Sequence, residues 1–318
     1  MRLPQGAPGA RVLAFGHYQP ANVVTNDDLA KTMDTDDEWI RSRVGIAERR
    51  IAAETESEID LAVQAGGKAL AASGLSAADI DLVIVATCTM ETQIPNAAAR
   101  VASRLGIHAP GAYDVNAACA GFCYALAAAS DNVRAGSATN VLVVGTEKFS
   151  QWIDWNDRAT AVIFADGAGA AVVGPSETPG IGPVVWGSSG DKYDAIIIKD
   201  RDSFLHQEGQ TVFRWATTSL HPVAVEACER AGVAPSELAA FVPHQANLRI
   251  IDSIARKIGS DRAVVARDIV LAGNTSAASI PMALSRMIER GEVPSGGLAL
   301  LLGFGAGLTY AGQVIEIP

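Results

Sequence analysis

Three separated blocks of this chain match three later blocks at a single offset, and that repeat constrains the fold more than any one motif. "GLSAADIDLVIVA" begins at Gly74 and "GVAPSELAAFVPH" at Gly232, 158 residues later. The same offset lays "VLVVG" (141–145) on "ALLLG" (299–303), and "NAACAGF" (116–122) on "NTSAASI" (274–280). Sequence rich in Ala, Gly and Val matches itself easily, but one shift shared by three blocks argues for a duplicated unit. Two like halves, 1–174 and 175–318, are then expected around a pseudo-twofold axis. "GPSETPGIGP" (174–183), rich in Gly and Pro, would connect them.

The repeated unit is α/β. Apolar runs such as "DLVIVAT" (81–87), "VLVVGT" (141–146), "FVP" (241–243) and "LALLLG" (298–303) read as buried strands. Ala-rich stretches at 57–73, 94–105, 119–135 and 216–231 read as helices between them. With 49% hydrophobic and 19% charged residues, the chain has ample material for a large core. A formal charge of −10 argues against a general nucleic-acid surface, so an acidic partner needs a local basic patch. No run of about 20 apolar residues could span a bilayer. The opening "MRLPQGAPGARVLAFG" lacks the long apolar core of a signal peptide, so a cytoplasmic location is expected.

Four cysteines, Cys88, Cys119, Cys123 and Cys228, show no disulfide spacing, and no second Cys or His pair completes a zinc pattern. No metal is expected. Cys119 follows the strand-like "GAYDV" at the start of an Ala-rich helix, where the helix end favours thiolate. An isolated cysteine there reads more readily as packing, and Cys123 takes that reading. His244 in "FVPHQAN" follows a strand; alone it would be a core histidine. Asn274 in "LAGNTSAAS" precedes a helix; alone it would be a cap. The repeat shifts these readings. His244 pairs with Ala86 at a strand end, Asn274 pairs with Asn116, and Ala277 stands where Cys119 does. Strand ends at the centre of an α/β structure are where sites are built, so Cys119, His244 and Asn274 can converge.

Cys119 in "ACAGF", His244 in "PHQANLRI", Asn274 in "GNTSAASIP" and "GFGAG" (303–307) resemble β-ketoacyl-ACP synthase III, a condensing enzyme of the thiolase superfamily. "DEWIRSRVGIAERRIA" (37–52) and "FADGAGAAVVG" (164–174) extend the resemblance over essentially the whole chain. It implies a thiolase-like fold with duplicated α/β halves in five α-β-α-β-α layers. It also implies an acyltransferase that condenses a short acyl-CoA primer with malonyl-ACP, initiating fatty acid or polyketide synthesis without a cofactor. Acyl carrier protein, coenzyme A thioesters and a second copy of the chain are the implied partners.

On the resemblance, Cys119 carries the acyl group, and the backbone N–H groups of Cys119 and Ala306 form the oxyanion hole. His244 and Asn274 stabilise the enolate. Trp39 and Arg158 sandwich the adenine of CoA, Arg43 lies near its phosphates, and Phe213 and Asn247 line the pantetheine arm. Phe149 and Phe164 wall the acyl pocket, and Ile94 floors the partner's tunnel across a homodimer interface. Ile there suits primers larger than acetyl. Arg214, Arg249, Arg256 and Lys257 make a basic patch for the carrier protein; scattered solvated charges are the plain alternative. The chain departs from the family's pattern at Val44 (usually Thr), Ala159 (usually Gly) and Ala306 (usually Gly). The segment 191–209 is short where a mobile loop would flank the entrance.

Other readings fare worse. "GAGAAVVG" (167–174) lacks the third glycine of a dinucleotide fingerprint, and both Gly-rich stretches run into strand rather than helix. Cys–His–Asn in this order also occurs in papain-like proteases, but their signature around the cysteine is absent. The runner-up within the resemblance is an acyltransferase that passes the group from Cys119 to an alcohol or amine.

Overall fold

The structure, a computed structural model, describes residues 4–318. The strands of its two main sheets are β1 (Gly9–Tyr18), β2 (Leu82–Ala86), β3 (Gly111–Val115), β4 (Val141–Lys148), β5 (Asp166–Ser176), β6 (Val185–Gly187), β7 (Leu238–Pro243), β8 (Val264–Val265), β9 (Leu298–Phe304) and β10 (Tyr310–Glu316). They form two five-stranded sheets ordered β1-β5-β4-β2-β3 and β6-β10-β9-β7-β8, the same arrangement twice. In each, three strands pair in parallel, the middle one of them an unbroken apolar run, and the other two add antiparallel. Even the register repeats: Leu82↔Val141 through Val85↔Val144 becomes Ala240↔Ala299 through Pro243↔Leu302.

Seven helices matter for the site: α1 (Asp37–Val44), α2 (Glu58–Ser73), α3 (Ala97–Arg104), α4 (Gly121–Ala135), α5 (Gly209–Ala231), α6 (Leu248–Ile258) and α7 (Ser279–Glu289). α4 and α7 lie between the sheets and touch both. α2 and α3 cover the outside of the first sheet, and α5 with α6 the outside of the second. This is the five-layer α-β-α-β-α order. The stretch 216–231 was expected to be helical, and α5 starts seven residues earlier, running through Pro222. Gly74 and Gly232, twins in the repeat, end α2 and α5 at φ 74° and 69°, a left-handed turn that a side chain resists.

Three apolar clusters follow the layers. Phe122, Leu126, Val143, Leu284 and Leu301 centre the middle one. Leu61, Val83 and Leu142 centre one outer cluster, and Leu220, Phe241 and Leu300 the other. Each such side chain contributes roughly 1.5–3 kcal/mol on burial. With α4 and α7 locked in the centre, the turns that start them are held rigidly, and the two turns face each other. No helix among the described residues is long and apolar enough to cross a membrane.

Candidate active site

Cys119 stands in a short 3-10 turn, Ala118–Ala120, between β3 and α4. The residue before it, Ala118, has φ 46°, and its repeat twin Ser276 has φ 49° in the turn leading to α7. Left-handed conformations cost an L-residue of this kind about 1–3 kcal/mol, so both corners store strain at matching places. Each is braced alike: the Ala118 N–H donates to Asn116 Oδ1 (3.3 Å), and the Ser276 N–H to Asn274 Oδ1 (2.8 Å). Gly305 presses against the first corner. A Cβ there would lie 2.7 Å from Cys119 Cβ and 3.0 Å from its Sγ.

Cys119 is only 9% exposed. Burial pushes its thiol up to about 12, with hydrogen bonding to Ser276 pulling the other way. Burial thus works against the thiolate that the helix start favours. Cys123 lies fully buried one turn along, its thiol also pushed up to about 12 by burial, and it packs in the middle core.

His244 follows β7, its N–H donating to Leu302 O (2.8 Å). The imidazole is buried, with the Phe304 ring edge-on at 5.2 Å and Nδ1 2.7 Å from Ser279 Oγ. Burial lowers its pKa to about 3, so the ring is neutral at physiological pH. Asn274 is clamped by its own backbone, which donates to Ile163 O and accepts from the Ala165 N–H, both at 2.9 Å. Because its Oδ1 already accepts from the Ser276 N–H, its amide NH₂ is the group left for the cavity. Cys119, His244 and Asn274 all line one cavity of about 910 Å³. The residues of both halves thus meet there.

A buried acid lies behind that cavity. Glu147, at the end of β4, accepts at Oε2 from Thr87 Oγ1 (3.2 Å), the Cys88 N–H (3.1 Å) and Thr89 Oγ1 (2.7 Å). Its Oε1 accepts from Ser276 Oγ (2.9 Å) and Cys88 Sγ (3.3 Å). Burial pushes its pKa upward, against those five donors. The cluster fixes the Ser276 corner and holds Cys88 in the cavity wall.

The cavity runs outward to Trp39. Arg158 lies directly on that ring at 4.9 Å, and Arg43 lies near it at 5.7 Å. The half-exposed Arg158 guanidinium itself thus occupies the face of Trp39 where the resemblance implies the adenine. Phe213, Asn247, Val44 and Ala159 line the passage. Asn247 also caps α6, accepting from the Arg249 N–H (2.9 Å) and donating to Arg43 O (3.1 Å), so it ties α6 to α1. Ala306 borders the cavity beside Cys119, and among the described residues neither N–H finds an acceptor outside its own turn.

Phe149 and Phe164 pack with ring centroids 4.7 Å apart, tilted by 31°, in the inner wall. The segment 191–209 is partly ordered into a wall: Ile196–Ile197 pairs with His206–Gln207 as a two-stranded ribbon joined by a loop, and Ile196, Ile197, Ile198 and Leu205 line the cavity. Ile94 is 87% exposed and lies outside its own chain's cavity. Arg214 and Arg249 reach the cavity, with Arg249 over the Phe213 ring at 4.9 Å. Arg256 and Lys257 lie in the last turn of α6, roughly 10 Å further along its axis.

A buried thiol at a strained corner, a neutral imidazole and a side-chain amide on one cavity with a passage to the surface fit an acyl-transferring condensing enzyme of thiolase-like fold. Known proteins agree. Residues 113–190 match the family described as 3-Oxoacyl-[acyl-carrier-protein (ACP)] synthase III, and residues 228–317 match its C-terminal part. The chain is 58% identical, over 98% of its length and 99% of the relative's, to beta-ketoacyl-[acyl-carrier-protein] synthase III 4 of Streptomyces coelicolor. It is 57% identical over the same shares to synthase III 2 of Streptomyces avermitilis. The crystal structure of the priming β-ketosynthase from the R1128 polyketide pathway superposes with a TM-score of 0.97 at 44% identity, covering 100% of this chain and 98% of the other. The chain belongs to the β-ketoacyl-ACP synthase III family.

Proposed function

We propose that the protein performs a decarboxylative Claisen condensation of an acyl-CoA primer with malonyl-ACP, through an acyl group on Cys119. The observation that carries this reading is the meeting of Cys119 with two uncharged donors, His244 and Asn274, in one cavity. The Cys119 thiol gives up its proton as Sγ attacks the thioester carbonyl, and coenzyme A leaves as the thiol. The N–H groups of Cys119 and Ala306 stabilise the oxyanion of that step. Malonyl-ACP then binds, and loss of CO₂ leaves an enolate whose oxygen accepts from His244 Nε2–H and the Asn274 amide. The enolate carbon attacks the acyl-Cys119 carbonyl, the C–S bond breaks, and Cys119 regains a proton from solvent. A neutral imidazole suits this donor role, and an amide offers nothing but donation on its free side.

Trp39, Arg43 and Arg158 would hold the nucleotide end of CoA, with Phe213 and Asn247 along the pantetheine. Phe149 and Phe164 would hold the primer. The basic residues Arg214, Arg249, Arg256 and Lys257 would meet the acidic carrier protein. A homodimer is supported by the open edge of β3, where Tyr113 and Asp114 are exposed, and by the exposed Ile94. The two halves would divide at 174/175. CoA thioesters and carrier protein as substrates favour a cytoplasmic setting, and the chemistry needs no cofactor. The test is product analysis with an acyl-CoA and malonyl-ACP together. CO₂ and β-ketoacyl-ACP in equal amounts are expected. Transfer of the acyl group to an added alcohol or amine, without CO₂, would establish simple acyl transfer instead.

A further inference from the structure

One buried hydroxyl decides which nitrogen of the proposed enolate donor carries the proton. Ser279, the first residue of α7, is itself buried and sits behind the imidazole of His244. Its Oγ has two partners: the Gln245 N–H, at 3.3 Å, and His244 Nδ1, at 2.7 Å. We infer that Ser279 donates its hydroxyl proton to Nδ1 and so fixes His244 as the Nε2–H tautomer, making Ser279 a positioning residue for the condensation half; this rests on the reading of His244 as donor to substrate.

The argument is a count of hydrogens. The Gln245 N–H can only donate, so Oγ accepts there. The hydroxyl hydrogen then needs an acceptor, and among the described residues His244 Nδ1 is the only one in reach. A proton on Nδ1 would leave the hydroxyl hydrogen buried without a partner, at a cost of about 1–3 kcal/mol. The same count opposes the imidazolium, which carries hydrogen on both nitrogens. Gln245 makes the arrangement rigid. Its side chain donates to Pro243 O (2.7 Å) and Ala266 O (3.3 Å), and its Oε1 accepts from the Ile269 N–H (3.1 Å). The N–H that orients Ser279 thus belongs to a residue held on three sides. Nε2 carries the hydrogen that faces the cavity.

The test is nitrogen NMR on the full chain labelled with [¹⁵N]histidine, with the His244 signals assigned by their loss in His244→Gln. The wild type should show an unprotonated Nδ1 and a protonated Nε2 across pH 6–8. In Ser279→Ala the two shifts should move toward averaging, and decarboxylation of malonyl-ACP should fall roughly ten- to a hundredfold. Acylation of Cys119 by acyl-CoA should keep its rate, and Ser279→Thr, which retains the hydroxyl, should restore both the spectrum and decarboxylation. A protonated Nδ1 in the wild type overturns the inference. So does undiminished decarboxylation in Ser279→Ala, or an equal loss of acylation and decarboxylation, which marks a merely structural role. Should the wild type decarboxylate nothing at all, the functional reading falls, while the spectrum still decides the tautomer.

Discussion

Replacing Gly305 by alanine should disable acylation by displacing the nucleophile. Gly305 has φ −178°, an extended backbone open to any residue, so the effect is steric alone. The new Cβ would meet Cys119 Cβ at 2.7 Å, its N at 2.9 Å and its Sγ at 3.0 Å. Carbon atoms rest comfortably about 3.5 Å or more apart, so Cys119 must retreat by roughly 0.5–1 Å. It has little room to do so, because Ala118 behind it is already strained and Ala120 is fully buried. Overpacking of this kind costs typically 1–3 kcal/mol of stability. Displacing a reacting atom by about 1 Å costs on the order of 100-fold in rate. Intact-mass spectrometry at timed intervals after adding acyl-CoA reads the acylation rate, and a thermal melt reads the stability. Gly190→Ala, where a Cβ meets open space, is the control. A Gly305→Ala protein that melts and acylates like wild type would refute the close approach on which the site rests.

Other outcomes follow from the same geometry. His244→Ala and Asn274→Ala should each still acylate Cys119 but lose about 10²–10³ in condensation, measured as CO₂ release, since each removes one donor to the enolate. Arg256→Glu, beyond the cavity at the far end of α6, should raise KM for malonyl-ACP severalfold and spare acyl-CoA loading, as steady-state kinetics at two salt concentrations would show. Burial lowers the His244 pKa to about 3 and that of His17 to about 4, so the unfolded chain binds protons that the folded one refuses. Stability should therefore fall as pH drops from 6.5 toward 3–4. His244 alone contributes on the order of 4–5 kcal/mol at full extent. Urea unfolding should show a shallower acid decline for His244→Gln than for wild type.

The repeat at offset 158 carried the fold because it preserved what a sheet cannot slip: the pairing register of the central strands survives intact from one half to the other. It carried the triad for the same reason, since matching corners had to come together across the middle layer. What stayed hidden depended on three-dimensional environment. The helix start at Cys119 promised a thiolate, but burial, invisible in sequence, sets the thiol high. Trp39 and Arg158 were identified, yet their direct contact was not, because a flexible arginine has no fixed place in a pattern. The stretch 191–209 carries "AIIIKD", a signal for a short apolar strand, but a two-residue strand in a short segment does not say which cavity it lines. Ser276 and Ser279 sit inside the quoted "GNTSAASIP", but small hydroxyls reveal a role only through their partners. Glu147 had a usable signal, an acid closing an apolar strand buried along its length.

The central claim is that Cys119 carries the acyl group and that malonyl-ACP removes it by condensation. Peptide-mapping mass spectrometry of the protein first exposed to a mixed acyl-CoA pool, then to malonyl-ACP, tests it most directly. An acyl adduct on Cys119 alone is predicted, with its mass naming the primer, followed by its discharge into β-ketoacyl-ACP; in Asn274→Ala the adduct should persist. An unmodified Cys119, or an adduct on Cys88 or Cys123 instead, would contradict the account.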